Sequence, residues 1–158
     1  MGGIYRESRG IILLNSLEVG DIFEYFDEDL LSDIDPFTLV DFQSSIREIR
    51  WDGKTVFRKE YSNKEPHIWA SAQLYSPEVI QKRENWFSEV ISGNTDEESI
   101  MNFHKNGGDG DSENDLVMNR GNMVRTVSIT QFVHSPKIQS IKHLNLIDNE
   151  EEAWKSNS

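Results

Sequence analysis

The feature that most constrains the fold is a change of hydrophobic period at Thr38. Upstream, apolar residues recur at helical spacing. Downstream they fall into three short groups: Leu39, Val40 and Phe42; Ile46, Ile49 and Trp51; Val56, Phe57 and Tyr61. Short groups of that length, bounded by turn residues, read as strands. Asp52-Gly53, between Trp51 and Lys54, is a strong two-residue hairpin signal, because a tight primed turn needs positive φ at both central positions. An antiparallel meander is therefore expected from Thr38 to Tyr61.

On either side the pattern alternates between helix and strand. Ser8 is a capping residue for a helix that carries Ile11, Leu14 and Leu17 and stops at Gly20. Asp21 opens a second helical stretch, with Ile22, Phe23, Phe26, Leu30 and Leu31 recurring until Pro36 ends it. His67 to Tyr75 reads as a strand whose central residues, Ala70, Ser71 and Ala72, are small enough to admit another layer or a ligand. Ser76-Pro77-Glu78 starts a helix by rule, with a capping serine, proline at the first helical position and an early carboxylate; Gly93 closes it. A shorter helix spans Thr95 to Lys105, and a polar loop, Asn106 to Leu116, follows. Met123 to Val133 alternates as a strand. Val124, Thr126, Ser128 and Thr130 form one face; Met123, Val127, Ile129 and Phe132 lie largely on the other. Ile138 to Ile147 offers a last strand, and the charged residues 149–158 read as a disordered tail. The expected fold class is α+β, antiparallel sheets with flanking helices, with 1–148 forming a single domain.

Charge and composition narrow the function. Twenty-eight Asp and Glu against 16 Lys and Arg give a net charge of -12, which opposes nucleic-acid binding by bulk charge. The chain has no cysteine, so disulfides, thiolate metal sites and thiol nucleophiles are excluded within it. The longest fully apolar run, Ile11 to Leu14, is far short of a membrane span, and no signal-peptide pattern opens the chain; the expectation is a soluble cytoplasmic protein.

Few segments carry a chemical signature. The loop from Asp109 to Asp115 alternates oxygen-bearing residues as a calcium loop does. It then places Asn114 where glycine belongs and Arg120 where a bidentate glutamate is required, so it reads as a solvated acidic turn. His67, His104, His134 and His143 are scattered without metal-ligand spacing, and there is neither a nucleophile elbow nor a phosphate loop; no metal or cofactor is implied. The stretch Asn119 to Gln131 is the best candidate for recognition. It sets Arg120 and Arg125 at the entry of a strand lined with short hydroxyls, and guanidinium forks match carboxylate geometry. A wet, purely structural strand face is the competing reading.

Three blocks, in order, resemble the later half of bacterial NRDE-family proteins, the family that includes the transport and Golgi organisation protein 2 homologues. They are SRGIILLNSLE (Ser8 to Glu18), HIWASAQLYSPEVIQKRENWF (His67 to Phe87) and DLVMNRGNMVRTVSITQ (Asp115 to Gln131). The resemblance implies an N-terminal-nucleophile-hydrolase-like fold, two antiparallel sheets stacked between helical layers, in which a first residue attacks an amide carbonyl with its own α-amine as base. Such proteins begin Met-Cys and carry an Asn-Arg-Asp-Glu run; this chain begins Met1-Gly2-Gly3 and contains neither. The resemblance therefore implies a C-terminal portion, catalytically incomplete, with Asn119, Arg120, Arg125, Thr126 and Ser71 as substrate-orienting groups. The implied partners are the missing first half or a second copy, because a divided sandwich leaves strand edges and an apolar face uncovered. A small-molecule ligand is a further expected partner. The alternative is a self-sufficient α+β module that binds a small ligand without hydrolysing it.

Overall fold

The computed structural model describes residues 8–71, 73–93, 95–136 and 138–157. Its class is α+β with antiparallel sheets. The chain divides into two compact units, one ending at Tyr75 and the other starting at Ser76. Each unit has its own sheet and its own helices, so each closes a core locally. Among the described residues no helix is long and apolar enough to cross a membrane.

In the first unit, α1 (Arg9–Ser16) and α2 (Ile22–Tyr25) precede β1 (Phe37–Phe42), β2 (Ile46–Trp51) and β3 (Val56–Tyr61). Ser8 caps α1 by accepting the Ile11 N–H, as its position predicts. The strands form a sheet ordered β1-β2-β3, in which Leu39 faces Ile49 and Ile49 faces Arg58. One face of this sheet presents Phe37, Leu39, Ile49, Trp51 and Val56 to Ile12, Ile22, Phe26, Leu31 and Ile34. Burial of each large side chain contributes about 1.5–3 kcal/mol. The indole N–H of Trp51 donates to the Ile34 carbonyl at 3.0 Å, which ties the helical side to the sheet without leaving a buried polar atom unpaired. On the other face Val40, Phe42 and Phe57 are exposed.

Three local expectations change here. The second helix is only four residues long, because the Asp27 carboxylate accepts the Leu30 N–H and starts a separate turn; Asp33 then takes a positive φ of 62°. Aspartate competes with helix in this way by bonding nearby backbone. The Asp52-Gly53 turn is a four-residue loop: Trp51 pairs with Val56, Gly53 alone takes a positive φ, and Asp52 accepts from the amides of Lys54 and Thr55. Third, the described part of 67–75 forms no strand. Side chains of that segment are anchored onto the sheet face instead, so its backbone does not join a ladder.

The second unit contains α3 (Pro77–Ile91), α4 (Glu97–Asn106), the short pair β4 (Asn119–Arg120) and β5 (Val124–Arg125), and a sheet of β6 (Ser128–His134), β7 (Ile138–Asn145) and β8 (Glu150–Asn157). Ser76 caps α3 with Pro77 at its first turn, as the sequence indicates, and α4, expected from Thr95, is capped by Asp96. The expected strand from Met123 is broken after Arg125. The Thr126 hydroxyl accepts the Met118 amide and donates to the Leu116 carbonyl, which diverts the backbone. Within β6 the two-residue alternation puts Phe132 on the face of Ser128 and Thr130, not on that of Ile129. The tail expected to be disordered is strand β8. Asn145 accepts from the amides of Ile147 and Asp148, Asn149 takes a φ of 55°, and the returning chain pairs Trp154 with Ile141. Its three glutamates hide a regular alternation.

Candidate functional site

The first unit carries an open cleft of about 620 Å³ along the free edge of β1. Arg9, Gly10, Ile12 and Leu13 of α1 form one wall, Pro36 to Val40 the floor, and Trp69, Ala70 and Ser71 the opposite wall. Sheet order decides the location: among the described residues β1 pairs only with β2, which leaves its outer edge facing the cleft.

A compact polar cluster holds the Trp69 wall. The Trp69 indole N–H donates to Oε2 of Glu48 at 2.8 Å, and the Tyr61 hydroxyl donates to the same oxygen at 2.7 Å. Burial first, and the hydrogen bond to Glu48 second, push the Tyr61 phenol above its ordinary range, so it stays a donor. The His67 ring lies 4.9 Å from Tyr61 and 5.7 Å from Trp69, and its Nε2 meets the Ser62 carbonyl at 2.8 Å. Lys59 stands 4.4 Å over the Tyr61 ring. The opposite wall is held by the cap of α1 and by Arg9, whose guanidinium reaches the Pro36 carbonyl at 3.5 Å.

Ionisable groups are scarce in this cleft. Among its lining residues Arg9 alone is charged, and no carboxylate or imidazole stands among them. The described lining thus sets no base beside the Ser71 hydroxyl, the partner that an activated serine nucleophile requires. An anionic head beside Arg9 and an apolar body along Ile12, Leu13 and Leu39 are what such walls accommodate. Gly10 is informative. Among the described residues a Cβ there would meet only the Ser8 hydroxyl, at 3.7 Å, so their packing does not require glycine at this helical position.

The other predicted residues lie in the second unit, where Asn119, Arg120, Arg125 and Thr126 sit around the β4–β5 turn; Ser71 is not among them. Asn119 bonds Asn122 through both its amide groups, closing the turn. Arg120 donates to the Glu113 carbonyl and the Asn114 side chain, and Thr126 fastens the strand entry. Arg125 is exposed. Three of the four thus hold backbone in place.

The acidic loop is equally tied. Asp115 accepts from the amides of Asp109 and Gly110 at 3.0 and 3.2 Å, Asp111 from Glu113 and Asn114, and Asp109 pairs with Lys82 at 2.5 Å. Lys82 holds the Asp109 carboxyl below the usual carboxylate range, and Asn114 does the same for Asp111. Among the described residues no group of three or more metal-ligating side chains stands together.

Sequence reasoning missed Arg9, Gly10, Trp69 and the Glu48–Tyr61 pair as site components. A glycine one step inside a well-capped helix was the available signal. Compared with family models, curated proteins and solved structures, the chain matches none.

Proposed function

We propose that this chain is the later portion of an NRDE-type, N-terminal-nucleophile-hydrolase-like protein. In this reading it binds the substrate, an acylated amine bearing an acidic group, and the attacking residue lies outside the cleft. The observation that carries the reading is the β1 cleft itself: one guanidinium, the hydroxyl-bearing Thr38 and Ser71, apolar walls, and no base among its described lining residues. Two of the three blocks that resemble the family, Ser8 to Glu18 and the start of His67 to Phe87, supply its opposing walls. The sheets support a layered αββα arrangement. Each is packed by helix on one face, and each leaves large apolar residues bare on the other: Val40, Phe42 and Phe57 in one, Phe132, Ile141 and Trp154 in the other. Faces of that kind suit a second sheet. We take the protein to act in the cytoplasm.

The test is titration of the chain with N-dodecanoyl glycine and with its uncharged methyl ester, followed by tryptophan fluorescence. The acid is expected to bind about tenfold more tightly than the ester, the effect of one charge-assisted contact. Arg9→Gln should abolish that preference. Equal binding of acid and ester, or a preference that survives Arg9→Gln, overturns the reading. A second reading, a self-sufficient binding module, draws on the same lack of a base. It predicts identical binding but no gain of amidase activity when an NRDE-type first half is added.

A further inference from the structure

We propose that β8 is a self-association edge, through which two copies of the chain join their three-stranded sheets antiparallel about Ala153. β8 is the outer strand of the β6-β7-β8 sheet, and Glu150 through Lys155 are exposed along it. An edge of this length, pairing residue for residue with β7 on its inner side, presents an outer row of backbone donors and acceptors.

Side-chain placement selects the occupant and the register. A two-fold axis normal to the sheet keeps each face on its own side, so residues can only meet partners of the same face. Centring the axis on Glu152 sets Glu152 against its own mate, and centring it on Lys155 sets lysine against lysine; both are unfavourable. Centring it on Ala153 places Glu151 opposite Lys155 of the second copy, twice by symmetry, with no like charges opposed. The register about Ala153 also keeps every residue from Glu150 to Ser156 in the ladder.

The exposed apolar row favours the same geometry. Phe132, Ile141 and Trp154 are directly aligned across the three strands, and Phe132 and Trp154 are 61% and 54% exposed. The row runs up to the β8 edge and stops there. Pairing about Ala153 sets Trp154 diagonal to its symmetry mate, within reach for aromatic rings, and carries the row across six strands. A partner strand of unrelated sequence would have to supply both the charge order and the terminal aromatic; the second copy already has them.

The chain lacks cysteine, so a single introduced thiol gives an unambiguous probe. Directly opposed antiparallel residues stand at Cα distances compatible with a disulfide, whereas positions one step away do not. Ala153→Cys should form a covalent dimer on mild oxidation, and Glu152→Cys and Trp154→Cys should lag by tenfold or more in rate. In sedimentation the unmodified chain should show twice the chain mass as concentration rises. Lys155→Glu should return it to the monomer, and Glu151→Lys combined with Lys155→Glu should restore the dimer. A monomer at every concentration, cross-linking without preference for position 153, or a dimer indifferent to both charge changes overturns the proposal.

Discussion

The acidic loop after α4 and the cleft along β1 are built on opposite principles. In the loop, polar side chains are turned inward upon the chain: Asp115 on two amides, Asp111 on two donors, Asp109 on Lys82, and the buried Arg83 on the carbonyls of Asn114 and Asp115. In the cleft, the apolar walls and a small helical residue remain open, and polar bonding is confined to its supports. The richest motif in the sequence is thus an architectural knot, and the plainer segment is the one with room for another molecule. Density of functional-looking residues is a poor guide when those residues can satisfy each other.

Breaking the knot should produce the largest effect. Arg83 is 8% exposed, and its guanidinium donates to two loop carbonyls at 2.7–3.3 Å. Arg83→Met removes those charge-assisted bonds and strands the acceptors, so a loss of about 3 kcal/mol is expected in chemical denaturation of the second unit. Binding at the cleft should be unchanged. Gly108→Ala comes next. Gly108 sits at a φ of 151°, and a Cβ there would lie 2.1 Å from the Asp115 carboxylate that organises the loop. A loss of about 2 kcal/mol is expected from backbone strain and displaced bonds, again without effect on ligand.

How far the sequence foretold this division depends on the kind of signal. The caps at Ser8 and Ser76, the three strands of the first sheet and the helix from Pro77 rest on local rules, and the local rules hold. β8 was hidden because composition masked alternation: Glu150, Glu152 and Trp154 lie on one face and Glu151, Ala153 and Lys155 on the other. The segment from His67 was misread because its alternation was real but answered to side-chain anchoring at Glu48, a tertiary partner no local rule supplies. The cleft was legible only in Ala70 and Ser71. Its charged contributor, Arg9, lies 62 positions from Ser71 in sequence and meets that wall only through the sheet edge. Asn119, Arg120 and Thr126 drew notice for the hydrogen-bonding capacity that the turn itself consumes.

Sharpening the cleft's side of the comparison requires a change that separates stability from binding. Gly10→Ala does so. Gly10 is within α1 with space for a Cβ, so alanine should stabilise the helix by up to about 1 kcal/mol. The same methyl group enters the cleft wall and should weaken the N-dodecanoyl glycine probe several-fold. A variant that gains stability and loses no affinity would show that the ligand does not pass Gly10.

The smallest effect expected is a pH dependence that belongs to the knot's side of the molecule. His104, in the last turn of α4, would by the helix dipole alone favour its charged form. Desolvation of the ring, and then the positive charge of Arg83, act the other way and lower its pKa below the ordinary 6.5. The unfolded chain therefore binds a proton at His104 more readily than the folded one. That contribution to stability is fully present above pH 6.5 and is lost as pH falls through the region below it. Denaturant midpoints measured between about pH 7 and 5 should decline slightly with acidification. His104→Gln, which keeps a polar group in the last turn but cannot titrate, should flatten that slope, and so should Arg83→Met in part, since it removes the second cause. A slope untouched by His104→Gln would overturn the assignment of the acid sensitivity to this ring.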